Sequence, residues 1–156
     1  MTEKIQIRPV RSDEYQEVSD LVLEVFDLDV APLYVDEGIK TFHAYGQADA
    51  MKERVRSGHL LLVAETENKL IGAAEARDFH HLSLLFVDRK YQRSGIGRTL
   101  LLEILRMCRV HNPSLKAMTV HSSPNAVEAY QRLGFRATSE LQRKDGIDFV
   151  PMLLEL

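Results

Sequence analysis

Val18, Leu21, Val22, Val25 and Phe26 recur at intervals of three and four residues, a stripe that predicts a helix over 12–26 with Ser12 as its N-cap. Before it, Ile5 and Ile7 alternate with polar neighbours until Pro9, the pattern of a short strand. Residues 27–36 contain Pro32 and mixed polarity and read as a loop. A second helix is expected over 36–57, broken near Gly46 and ended by Gly58.

The pattern then changes to strands. Residues 60–65 are almost wholly apolar, a turn falls at Asn68-Lys69, and 70–78 reads as the returning arm of a hairpin. Residues 82–87 form a nearly continuous apolar run, which suits a central strand covered on both faces. After the turn 88–94, Ile96, Leu100, Ile104 and Cys108 make one row of a helix over 95–110, with Leu101 and Leu105 beside it. A strand over 117–120 follows. Ser123-Pro124 supplies an N-cap and a first-turn proline for a short helix over 125–133, which Gly134 ends. Residues 135–138 and 147–154 are expected to pair as a terminal hairpin around Asp145-Gly146. The order β-α-α-β-β-β-α-β-α-β-β describes a single α/β domain over 1–156, a mixed sheet of about seven strands with about four helices.

Composition narrows the function more than the fold. The 156 residues are 45% hydrophobic and 28% charged, enough for one core and unlike a disordered chain. A net charge of -3 gives no general attraction to nucleic acid, and no nucleic-acid partner is expected. Residues 1–8 hold no long apolar stretch, so no signal peptide is expected, nor any membrane span elsewhere. Cys108 is the only cysteine, which fits a reducing cytoplasm. Its place in the apolar row makes it a buried small hydrophobe, not a nucleophile. The histidines show no metal-ligand spacing, and no metal is expected. The run Lys52-Glu53-Arg54 reads as a solvated helix face.

The chemistry concentrates in the turn after the central strand. Glycines allow a sharp bend and close approach of a ligand. The first N–H groups of the following helix lack internal partners and point outward, and the helix dipole adds partial positive charge. Such a turn holds phosphate or pyrophosphate. Arg93 and Arg98 can add charge, and Thr99 a hydroxyl. Gly97-Arg98-Thr99 has arginine where a nucleotide-hydrolase loop needs lysine, and Leu100 stands where a dinucleotide fingerprint needs its third glycine. Gln92-Arg93-Ser94-Gly95-Ile96-Gly97 instead matches every fixed position of the acyl-CoA turn, Gln/Arg-x-x-Gly-x-Gly/Ala.

With that turn and a second motif, Asn125-Ala126-Val127-Glu128-Ala129-Tyr130-Gln131-Arg132-Leu133-Gly134-Phe135, the chain resembles the GNAT superfamily of acyl-CoA N-acyltransferases. The resemblance extends over nearly the whole chain in element order. It implies an N-acetyltransferase that passes an acetyl group from acetyl-CoA to a primary amine by direct attack in a ternary complex. A non-catalytic acyl-CoA sensor would share the turn without needing Tyr130. The resemblance implies that backbone groups of Gln92, Arg93, Ser94, Gly95, Gly97 and Arg98, with Thr99 nearby, hold the pyrophosphate. It implies that main-chain groups of Leu85, Phe86 and Val87 meet the pantetheine arm where the strand splays from its neighbour. Tyr130 would protonate the leaving thiolate, and Asn125 would contact the cofactor arm or merely cap its helix.

A general base is harder to name. Glu75, Asp78, His80 and His81 lie on or before the splayed strands, and Glu75 and His81 are the leading candidates beside a relay through water. The acceptor is expected to be a small-molecule or peptide amine. Asp27, Asp29, Asp36 and Glu37, mixed with Phe26, Tyr34, Phe42 and Tyr45, would suit a cationic one. Dimers are common among proteins of this kind, which makes a homodimer through the terminal hairpin an expectation by analogy.

Overall fold

The computed structural model describes residues 4–156. Strand β1 (Gln6–Pro9) leads to helix α1 (Tyr15–Asp29), a 3-10 turn (Ala31–Leu33), α2 (Asp36–Tyr45) and α3 (Ala48–Arg56). Strands β2 (Leu60–Thr66), β3 (Lys69–Arg77) and β4 (His81–Val87) follow, then α4 (Ile96–His111), β5 (Ala117–Ser122) and α5 (Val127–Arg132). The chain closes with β6 (Arg136–Ala137), β7 (Gln142–Lys144) and β8 (Ile147–Glu155). Among the described residues the strands form one mixed sheet in the order β1-β2-β3-β4-β5-β8-β6, with β7 paired to β8. Only the β4–β5 pair is parallel, and α4 makes the crossover between those two strands.

Each face of the sheet has its own core. Leu62, Ile71, Ala74, Leu82, Met118 and Val120 pack under the α4 row of Ile96, Leu100, Leu101, Ile104, Leu105 and Cys108. Leu61, Val63, Leu70, Ala73 and Leu84 pack on the opposite side against Val18 and Val22 of α1 and Met51 of α3. This two-sided cover explains the continuous apolar runs of β2 and β4, which alternation alone would not produce.

Leu82 and Leu84 are two apart yet enter opposite cores. The reason is a bulge: Glu75 pairs with Leu84, but Ala76 pairs with Leu82, leaving Ser83 as the extra residue. The bulge turns over the facing of β4 near its start, ahead of the residues that lead into the turn.

Several sequence expectations shift. Ser12 caps no helix; the Glu14 carboxylate accepts from the Arg11 N–H at 2.8 Å and closes a turn there, so α1 starts at Tyr15. The expected loop is partly helical, since α1 runs to Asp29 and Pro32 sits in the first turn of the 3-10 segment. The break at Gly46 separates α2 from α3. Ser123 makes no side-chain cap bond, and residues 124–126 are 3-10 before α5 begins. The tight hairpin around Asp145-Gly146 is β7–β8, with the two-residue β6 paired to the far part of β8. Sequence inspection missed β7 because Gln142-Arg143-Lys144 is polar throughout and exposed.

Candidate functional site

β4 and β5 are in register at only two pairs, His81↔Thr119 and Leu82↔Val120. Beyond Leu82 the two strands part. The β5 side of Leu85, Phe86 and Val87 therefore lies open in the centre of the sheet, and all three are half-buried. A gap in a central ladder leaves backbone donors and acceptors able to pair with an extended ligand.

The turn after β4 is built by local bonds. The Asp88 carboxylate accepts from the Lys90 N–H at 2.9 Å and starts a 3-10 turn over Arg89–Tyr91. Gln92 folds back, its amide donating to the Val87 carbonyl at 3.0 Å, and the Ser94 hydroxyl bonds the Tyr91 carbonyl. Arg93 has φ 62° and Gly95 φ 86°, so the chain makes a left-handed bend directly before α4. Gly95 is the N-cap of α4 and no side chain caps that helix. The first amides of α4 are thus left for an external anion. A Cβ on Gly95 would meet nothing within 4 Å, and one on Gly97 would meet only the Val87 side chain at 3.9 Å. Both glycines border open space that a ligand can enter. The Thr99 hydroxyl donates to the Gly95 carbonyl at 2.9 Å, while the Arg93 and Arg98 side chains are exposed at the rim. The residues expected to hold a pyrophosphate are therefore brought together.

Tyr130 projects from α5 into the α4-side core, 9% exposed, edge-on to Phe135 with ring centroids 5.4 Å apart. Burial pushes its phenol well above the ordinary range, so it stays protonated. Asn125 is exposed and caps no helix, because α5 starts at Val127 behind Ala126. Cys108 is buried in the α4 row, and burial pushes its thiol up to about 11.

The base candidates separate sharply. Glu75 is fully buried, but Arg54 Nε and Nη2 donate to its two oxygens at 2.7 and 3.0 Å, and His59 Nδ1 adds a contact at 2.7 Å. These contacts make Glu75 the anion of a buried ion pair, which adds a structural role to the expectation of Glu75 as a general base. They also correct the reading of Arg54 as a solvated side chain: Arg54 lies 3.6 Å from the centre of the Tyr45 ring and donates to the Tyr45 carbonyl at 2.7 Å. Asp78 and Phe79 (φ 54° and 56°) form the tight β3–β4 turn, and Asp78 and His80 are exposed there. His81 is buried where β4 and β5 join, with Nδ1 hydrogen-bonded to the Thr119 hydroxyl at 2.7 Å. Burial, then Arg77, His121 and His80, lower its pKa to about 4, so the ring is neutral near pH 7.

Sequence inspection did not find Thr119, His121 and Phe149. His121 stands edge-on to His81 at 4.7 Å and stacks on Phe149 at 4.3 Å. The period-two spacing of Thr119 and His121 was visible; Phe149 arrives from β8, and nothing local announces it. The aromatics of α1, α2 and β4 pack together: Phe26 stacks on Phe42 at 4.0 Å, and Phe42 leans on Phe86 at 5.7 Å. Two of the acidic residues are engaged in pairs, Asp27 with His43 at 2.6 Å and Asp29 with Arg89 at 3.3 Å. Among the described residues no group of three or more His, Cys, Asp or Glu side chains is placed to hold a metal, and no helix is long and apolar enough to cross a membrane.

Comparison with known proteins gives a consistent picture. The family model "Acetyltransferase (GNAT) domain" matches residues 30–156. A UPF0039 protein of Schizosaccharomyces pombe is 30% identical over 117 residues, covering 72% of this chain and 76% of the relative. A GCN5-related N-acetyltransferase structure from Rhodopseudomonas palustris superposes with a TM-score of 0.84 at 20% identity, covering 100% of this chain and 99% of the other. The PaiA N-acetyltransferase of Thermoplasma acidophilum, solved in complex with coenzyme A, gives 0.78 at 24% identity, with 98% and 99% covered.

Proposed function

The chain belongs to the GNAT acetyltransferase family, and on that premise we propose that it transfers an acetyl group from acetyl-CoA to a primary amine within a ternary complex, in the cytoplasm. One observation carries this reading: the sheet opens between β4 and β5 beside an uncapped helix start bordered by Gly95 and Gly97. The pyrophosphate fits the amides of residues 92–98, and the pantetheine arm fits the open edge of Leu85, Phe86 and Val87.

The two faces of the sheet divide the work. On the α4 side, Tyr130 keeps its proton and gives it to the departing thiolate. On the α1 side, the ammonium loses its proton to solvent through water before it attacks, and the neutral His81 imidazole orients that relay; a ring with its pKa lowered to about 4 is too weak a base to hold the proton itself. The amine nitrogen then forms its bond to the thioester carbonyl carbon, and a β4 backbone N–H stabilises the charge that develops on the oxygen. As the C–S bond breaks, the second nitrogen proton restores the tyrosine. Asn125, exposed beside α5, is a contact for the cofactor arm.

Thiol release measured over an amine panel tests the reading. Tyr130→Phe should lower kcat by about 10²–10⁴-fold, the usual contribution of a positioned acid, with little change in CoA affinity measured by calorimetry. CoA binding without turnover of any amine would turn the argument toward a sensor.

A further inference from the structure

Cross-strand partners leave a sheet on the same side. Arg77 pairs with His81, and His81 with Thr119, so these three side chains share one face. It is the face covered by α1 and α3, because Leu84 and Ala73 pack there and Arg77 follows Ala73 at even spacing along β3. His121, two beyond Thr119, joins them and contacts the His81 and Phe149 rings. Lys144 pairs with Ile147, two residues before Phe149, and so sits on the Phe149 face of the β7–β8 hairpin.

The charges on this face do not cancel. Asp148 is closed by Arg143, with contacts of 2.6 and 3.0 Å, and Glu75 is closed by Arg54. Asp27 is held by His43, and Asp29 by Arg89. Asp78 approaches Arg77 only at 3.6 Å and is exposed, a contact of little strength. Lys144 has no salt bridge among the described residues. Arg77 and Lys144 each help to lower the pKa of His121, after burial. Glu37 of α2 acts on Arg143 of the same hairpin and Asp145 stands in its turn, so the cations that bear on His121 itself are Arg77 and Lys144.

We propose that the amine acceptor carries an oxyanionic group, carboxylate or phosphate, which Arg77 and Lys144 hold beside His121. This rests on the acyl-transfer reading above.

The experiment compares kcat/KM of the full chain for an ω-amino carboxylate, the matched aminoalkyl phosphate, the uncharged alkylamine and the diamine of equal length. Either anionic amine should exceed the uncharged amine and the diamine at least tenfold, and the better of the two identifies the anion. Arg77→Gln and Lys144→Gln should each raise KM for that anionic amine about tenfold, the loss of one charge-assisted contact, with KM for acetyl-CoA unchanged. Equal turnover of the uncharged amine or the diamine overturns the inference and leaves acyl transfer standing. So do variants that lower kcat for every amine equally. Turnover of no amine, with CoA bound, overturns acyl transfer itself and this inference with it.

Discussion

Glu75 and His81 sit on neighbouring strands and both carry groups able to take a proton, but their partners separate them. Both Glu75 oxygens are spent on Arg54, with His59 alongside. Removing one member of such a buried pair strands the other, at a cost of about 3–5 kcal/mol. Glu75→Ala should therefore lower the denaturation midpoint severely. A variant that kept its midpoint and lost only turnover would refute the structural role. His81 has one side-chain partner and an imidazole pKa lowered to about 4 from the ordinary 6.5. A base with a depressed folded pKa binds its proton more readily when unfolded. Its stabilising effect is complete above about pH 6.5, is lost as the pH falls toward 4, and changes no further below that. His81→Gln should flatten the stability curve in that window, and an NMR titration of the ring should show its midpoint near 4. In the sequence both residues could be seen as candidates. Their sorting could not, because Arg54 lies 21 residues from Glu75 and reads as part of a charged helix face.

At the scale of the element, the β4–turn–α4 unit was the most legible part of the chain. Its apolar run, glycine turn and helical row are all local patterns, and local patterns survive folding. The β4 bulge at Ser83 was not legible, because register depends on the partner strand. The extent of the β4–β5 gap was invisible for the same reason; the resemblance implied a splay, and the register shows where it begins. Gly97 separates fold from ligand within this unit. It is helical, and an added Cβ would meet only Val87 at 3.9 Å. Gly97→Ala should stabilise the fold by about 0.5–1 kcal/mol, the helix preference for alanine over glycine. Gly97→Glu adds a carboxylate where the pyrophosphate is expected, and should abolish CoA binding in calorimetry with the thermal midpoint nearly unchanged. Loss of the fold in Gly97→Glu, or unaltered CoA affinity, would refute the placement.

In the whole molecule α2 and the β7–β8 hairpin are held together by a contact between distant parts of the chain. A Cβ on Gly38 of α2 would fall 2.1 Å from the Gly146 carbonyl oxygen, and one on Gly146 would fall 2.4 Å from the Gly38 nitrogen. The Thr41 hydroxyl donates to the Asp145 carbonyl at 2.8 Å, and the Tyr34 hydroxyl to the Asp148 carbonyl at 3.1 Å. These bonds hold the β7–β8 hairpin, with Phe149 and Lys144, against the helix that carries Phe42. Two glycines 108 positions apart carry no sequence signal of their meeting. Gly38→Ala must push backbone from backbone, since the two nearest atoms belong to the Gly146 main chain, at a cost of about 1–3 kcal/mol. The strain falls between α2 and the hairpin, away from α4. KM for the amine should therefore rise, by about tenfold for each 1.4 kcal/mol that reaches the site, while KM for acetyl-CoA holds. Steady-state kinetics with each substrate varied in turn reads both constants, and a parallel rise in both would show that the contact supports the whole domain and not the acceptor side alone.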